Sequence, residues 1–186
     1  MSETPRALIV YESMFGNTAK VAAAIRDGLS TVIDTELVRV DQASGRIPMD
    51  ARLLVVGGPT HAFSMSRAST RTDAGKQGEV AMPVEFGIRE WLGALPDRTT
   101  TTMSATFDTR ITKVRRLPGS AAKSAAKILR RRNFRAMVPP ESFFVDDTTG
   151  PIDEHELERA RQWGEELGKE LRSVLDTIPG GSRRST

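Results

Sequence analysis

The sequence predicts an α/β protein built on one doubly wound, five-stranded parallel sheet, order 2-1-3-4-5, with helices on both faces. Three observations carry this. Short apolar runs, Ala7–Tyr11 and Leu53–Val56, are too short for helices and lack polar alternation, as strands buried on both faces do. Segments of helical spacing alternate with the strands, a pattern that builds parallel sheets through right-handed crossovers. A chain of 186 residues, 38% hydrophobic and 27% charged, suits one soluble domain with a substantial core. That domain is expected over residues 5–178, with 179–186 as a disordered tail behind Pro179-Gly180-Gly181.

The first unit sets the pattern. After the strand Ala7–Tyr11 comes a small, hydroxylated turn, Ser13-Met14-Phe15-Gly16-Asn17-Thr18. Val21, Ala22, Ile25 and Leu29 then recur at helical spacing. A strand–turn–helix of this kind gathers free backbone amides at the positive end of a helix dipole. A phosphate sits well there. The chain has neither a Gly-Lys-Ser/Thr run nor a Gly-x-Gly-x-x-Gly fingerprint, so a triphosphate loop and a dinucleotide fold are disfavoured. The turn itself contains no Lys or Arg. Neutral hydroxyls and amides suit a tightly held mononucleotide.

The remaining elements follow in order. Thr35–Val40 alternates and reads as a second strand, and 43–50, with Gly45 and Pro48, as loop. The third strand, Leu53–Val56, is expected to stop at Gly57-Gly58-Pro59, where small residues let backbone approach a ligand. Ala62–Met82 shows no clear periodicity and reads as a long functional loop. Ile88, Trp91, Leu92 and Leu95 mark a helix stopped before Pro96. Thr99–Phe107 is a fourth strand by its β-branched content, leading into a turn at Ser104–Arg110. Pro118-Gly119-Ser120 opens an Ala- and Lys-rich helix to about Arg132. Phe134–Val138 and Ser142–Val145 form a fifth strand interrupted by Pro139-Pro140, which fits a sheet edge. Asp153 and Glu156 read as a capping box for a final helix to about Thr177. In such a sheet ligands bind at the carboxyl ends of the strands, where the order reverses.

Ile9-Val10-Tyr11, Ser13, Gly16, Thr18 and Ala22 resemble, at matching spacing, the signature of the flavodoxin family around its FMN-phosphate loop. The resemblance covers nearly the whole chain and implies FMN as cofactor, held by three turns. Ser13, Met14, Phe15, Gly16, Asn17 and Thr18 would hold the phosphate. Pro59, Thr60, His61, Ala62 and Phe63 would lie along one side of the ring. Ser104, Ala105, Thr106, Phe107, Asp108 and Thr109 would lie along the other. Phe63 and Phe107 can stack on the ring or pack in the core. His61 can hydrogen-bond the ring or a partner's substrate, and Asp108 can bind the ribityl hydroxyls or cap the next segment.

The implied function is electron transfer with a redox partner protein or a small-molecule electron acceptor. One alternative is a flavin-dependent reductase of a quinone-like or deazaflavin-like substrate, with Arg67, Arg71 and Lys76 closing over anionic groups. Another is a non-redox binding module that uses the basic helix Lys123–Arg132. Ten basic and no acidic residues lie between Arg110 and Pro140, so the rest of the chain is net acidic although the whole carries +3. Those charges alternate with Ala and have little aromatic interleaving beyond Phe134, which reads as a solvated face and disfavours nucleic acid as partner. Flavodoxins carry an acidic surface near the flavin edge, and this segment is its opposite.

Composition bounds the rest. No apolar stretch approaches the ~20 residues of a membrane span, and MSETPR lacks signal-peptide features. Zero cysteines exclude disulfides, thiolate metal sites and cysteine nucleophiles, and a cytoplasmic protein is expected. His61 and His155 offer no metal spacing. No Gly-x-Ser-x-Gly elbow occurs, and Gly57-Gly58 stands where a phospho-acceptor domain needs Asp.

Overall fold

A computed structural model describes residues 5–79, 82–97 and 102–177. The expected tail at 179–186 and the start of the expected strand at Thr99–Thr101 lie outside the described residues. The elements run β1 (Arg6–Tyr11), α1 (Asn17–Leu29), β2 (Asp34–Arg39), β3 (Ala51–His61), β4 (Ser64–Met65), α2 (Ala68–Gly75), α3 (Ile88–Ala94), β5 (Met103–Ile111), α4 (Ala121–Arg131), β6 (Arg135–Ala136), β7 (Glu141–Val145) and α5 (Glu154–Thr177). No helix among the described residues is long and apolar enough to cross a membrane.

The sheet order is β2-β1-β3-β5, with β6 and β7 both beside β5, and all these pairs are parallel. This is the doubly wound order read from the sequence, its fifth strand split in two around Pro139-Pro140. Proline has no N–H to give the ladder, so the split sits at the sheet edge. β4 folds back antiparallel on the end of β3.

Alternation along each strand decides which layer a side chain enters. Leu8, Val10, Leu54 and Val56 pack with Ile88, Trp91 and Leu92 of α3 and Ala125 and Leu129 of α4. Ala7, Ile9, Leu53 and Val55 pack with Val21, Ile25 and Leu29 of α1 and Leu167 and Leu171 of α5. Both faces are therefore dry, which is why these strands read as unbroken apolar runs. Each fully buried Leu, Ile or Val contributes about 1.5–3 kcal/mol.

β3 does not stop at Gly57-Gly58-Pro59, as the sequence suggested. It continues to His61 and pairs Gly57 with Phe107, Gly58 with Asp108 and Pro59 with Thr109. The Glu12 amide donates to the Gly57 carbonyl (2.9 Å), so Gly57 turns its polar groups toward β1. Pro59, two residues on, faces the same side, beyond the last β1 pair at Tyr11 and Gly57. Its missing N–H breaks no ladder bond there.

Gly57 serves the core rather than a ligand. A Cβ on Gly57 would stand 2.1 Å from Phe107 Cζ. The Phe107 ring is fully buried and meets Phe143 and Trp163 edge to face, with centroids 6.3 and 6.4 Å away. Gly57→Ala is therefore expected to overpack this cluster and cost about 1–3 kcal/mol. Urea unfolding should show a lowered midpoint, and adding Phe107→Leu should restore part of the loss.

The 62–86 segment is not a bare loop, since it contains β4 and α2. α2 buries only Arg71 and Ala74, so it has no apolar stripe for periodicity to find. The expected capping box of α5 is half present. Asp153 Oδ1 accepts from the His155 amide (2.7 Å). Glu156 instead turns to β7, where its Oε2 accepts from the Phe144 amide (2.7 Å) and from Arg159 Nη2 (2.8 Å). Burial pushes the Glu156 carboxyl up, but the bonds from Arg159 and Phe144 outweigh it and hold the group below the usual range. With the carboxyl lowered on folding, this tie stabilises the fold above the ordinary carboxylate value and is lost as pH falls through the lower folded one.

Candidate functional site

The chain leaves β1 at Tyr11 and turns sharply before α1. Gly16 adopts φ 90, a left-handed conformation that glycine takes at least cost. Gly16 gives α1 no side-chain cap, but Ser13 Oγ accepts from the Ala19 amide (3.1 Å). The amides of Asn17 and Thr18, at the first turn, have no intrahelical acceptor. With no basic side chain in the turn, these amides and the helix dipole are its positive groups. Thr18 is buried, and its hydroxyl bonds Thr109 Oγ1 (2.7 Å), clipping the turn to the end of β5.

The end of β3 is tied to α4. Thr60 Oγ1 donates to Asp108 Oδ2 (3.0 Å) and accepts from the Ala121 amide (2.8 Å). Asp108 Oδ2 also accepts from the Ala122 amide (2.9 Å). Ser120 Oγ completes the cap by accepting from the Lys123 amide (3.2 Å). Of the two roles open to Asp108, the structure thus gives it that of a cap. Its Oδ1 is buried with no partner among the described residues. Burial, and then the charge of Arg71, hold the His61 imidazole below its ordinary value, which favours its neutral form. Ala62 and Phe63 take φ 46 and 64, making the tight turn into β4.

These ends converge on one cavity of about 270 Å³ at the carboxyl edge of the sheet. Met14, Phe15, Asn17 and Thr18 line it from the first turn, Pro59, Thr60, His61 and Ala62 from β3 and its turn, and Thr109 from β5. Ser13 and Gly16 shape the turn without lining the cavity, and Phe63 points outward, 50% exposed. Ser104, Ala105, Thr106 and Phe107 do not form a turn. They lie buried in the body of β5, which stays paired with β7 as far as Ile111 and Val145.

The other cavity residues carry little readable sign. Ile111, Val145 and Thr148 line it, as do Thr70, Asp73, Ala74 and Gln77 of and after α2. Val145 was readable in part, because the end of an edge strand must reach this rim. α2 gave no apolar signal at all.

Arg71 is not free to close over an anionic substrate. It is 0% exposed, and its Nη1 donates to Ser66 Oγ (2.7 Å), Nη2 to Glu90 Oε2 (3.0 Å) and Nε to the Val84 carbonyl (2.6 Å). Ser66 in turn donates to Oε1 of Glu12, whose Oε2 accepts from the Ile88 amide (2.8 Å). Burial pushes the Glu12 carboxyl up, and Ser66, Ile88 and Arg71 offset part of that. This network joins α2 and α3 to the residue just before the phosphate-type turn. Arg110 likewise leaves the basic face: it is buried, and its Nη2 holds the Val114 and Leu117 carbonyls at 3.1 and 3.0 Å.

No family model matches the sequence, and no curated protein matches it. Solved structures do. An archaeal flavodoxin is 18% identical, with a TM-score of 0.62 over 90% of this chain and 99% of its own. A short-chain flavodoxin associated with a bacterial microcompartment is 16% identical, with a TM-score of 0.63 over 91% and 98%. A flavodiiron core from Synechocystis is 14% identical, with a TM-score of 0.65 over 93% of this chain, which spans 37% of that protein. The order β2-β1-β3-β5, the parallel pairing and these superpositions agree: the chain has the flavodoxin-like fold.

Proposed function

We propose that the chain binds FMN in this cavity and takes part in electron transfer. The observation that carries the reading is the meeting of Met14–Thr18, the end of β3 and the end of β5 on one cavity at the switch point of the sheet. The residues present fit the group. The first turn offers uncapped amides without a cation, a donor set suited to a phosphate monoester. Phe15, Pro59, Ala62, Ile111 and Val145 supply apolar walls for a planar ring. The volume lies near the lower end of the roughly 300–1,000 Å³ of small-molecule sites.

When bound, a flavin supplies reversible one- and two-electron chemistry. The amides of Asn17 and Thr18 would hold its phosphate, and the Thr18–Thr109 clip keeps that turn in register with β5. His61, whose pKa burial lowers, presents an imidazole hydrogen-bonding edge to the cavity. α2 shields the remaining side, and Thr70, Asp73 and Gln77 give that wall polar contacts.

The visible absorbance spectrum of the purified chain, before and after soaking in FMN, tests the reading. Flavin bands, with FMN identified by mass after release, are expected. A chain that stays colourless after soaking overturns it.

A further inference from the structure

We propose that the 112–117 turn and the exposed side of α4 form a docking surface for an acidic protein beside the cavity mouth. The partner's redox role rests on the electron-transfer reading; its charge does not. Lys113, Arg115 and Arg116 on the turn and Lys123, Lys127 and Arg130 on α4 are exposed or at the rim of the fold, and none has an ion-pair partner among the described residues. Positions 123, 127 and 130 share one helix face. Elsewhere several cations are neutralised locally, as in Arg39–Asp41, Arg159–Glu141 and Lys169–Glu165, although Lys20, Arg46, Arg52 and Arg67 form no ion pair among the described residues. No acidic residue occurs from Thr109 through Pro140 that could do the same here. Of the cations in this segment only Arg132, at the end of α4, has an ion-pair partner among the described residues, Asp97, so an acidic partner surface would complement the remaining cations.

The turn is also built to hold its shape. Buried Arg110 reaches from β5 to the carbonyls of Val114 and Leu117. Leu117 is 45% exposed and Phe63 50%. Phe63 packs on Gly119, its carbonyl oxygen 2.6 Å from where a Cβ on Gly119 would stand. Its neighbour Ala62 lines the cavity. Two exposed apolar side chains beside a cluster of cations have the anatomy of a protein interface, with apolar anchors and a polar rim. A single-stranded nucleic-acid track would place aromatic rings along the stripe for stacking, and α4 contains none.

The test measures association of the full chain with an acidic plant-type ferredoxin and a basic cytochrome c as probes, with a duplex DNA of ~20 base pairs as a third. Each is run with and without added FMN, at ~10 and ~300 mM ionic strength. Association with the acidic probe is expected, its on-rate falling at least ~10-fold across that range. The combined Lys113→Glu, Arg115→Glu and Arg116→Glu variant is expected to lose at least ~10-fold in that rate. Leu117→Ala is expected to speed dissociation while leaving the salt dependence unchanged. Absence of salt-dependent association with the acidic probe overturns the proposal, as does indifference to charge reversal, preference for cytochrome c, or tighter binding of the DNA. Docking by a chain that takes up no FMN would leave this surface standing and remove the flavin reading. FMN uptake without docking would do the reverse.

Discussion

Arg71→Met is expected to destabilise the fold by about 3–5 kcal/mol, more than any surface substitution, because it removes the cation of a buried network that pairs Glu90 directly and reaches Glu12 through Ser66. Arg71 is wholly buried and Glu12 is 1% exposed, so water reaches neither, while Glu90, the carboxylate Arg71 pairs directly, is one-third exposed. The lost bonds to Ser66, Glu90 and the Val84 carbonyl add to the cost. Chemical denaturation measures the loss. Adding Glu12→Gln should recover part of it, since the neutral amide needs no counter-charge, and the pair should fall short of the sum of its singles.

The pH dependence has a definite sign. The folded Glu12 pKa is raised, so its contribution is fully present below the ordinary carboxylate value and is lost as pH rises through the folded one. Removing Arg71 takes away a charge that lowers that pKa. The Arg71→Met deficit should therefore be larger at about pH 8 than at about pH 5. A deficit that shrinks with rising pH would contradict the assigned network. Because Arg71 also fixes α2, a wall of the cavity, weakened FMN binding should accompany the loss.

The strand, turn and helix of the first unit are legible in the sequence because their signals are local. An apolar strand, a hydroxylated turn with Gly16 and a helix with Val21, Ala22, Ile25 and Leu29 on one face all lie within about thirty residues. What the sequence hid is set by distant neighbours. Gly57-Gly58-Pro59 looks like a stop, yet β5 pairs with it, and Gly57 makes room for a ring fifty residues away. Phe107 was undecided between ring stacking and core until Phe143 and Trp163 were seen to surround it. Arg71 read as a loop cation able to close over a substrate, and Glu12 carried no sign of burial, because a group 59 positions along leaves no mark on local pattern. α2 was invisible for the same reason: its inward residue is an arginine, so polarity and burial run opposite to the usual rule.

Asn17→Asp is expected to weaken FMN binding by ~10–100-fold while leaving riboflavin, which lacks the phosphate, nearly unaffected. Asn17 lines the cavity at the first residue of α1, where two oxygens in place of an oxygen and an amide change little in shape. They add a negative charge where the phosphate would sit. Loss of the fold would not explain the result, because an acidic residue at a helix N-terminus stabilises the helix by roughly 0.3–1 kcal/mol. The Asn17 side chain does pack against Gly150, whose Cβ position would lie 2.7 Å from both side-chain polar atoms, so the thermal midpoint should be recorded alongside. Flavin fluorescence quenching gives both Kd values on one preparation. Equal weakening of FMN and riboflavin would place the ring, rather than the phosphate, against Asn17. No change in either would move the cofactor away from this turn. Only the split between the two ligands ties the phosphate to the uncapped amides of α1, and that tie is what separates a flavin site from a cavity that happens to lie at a sheet edge.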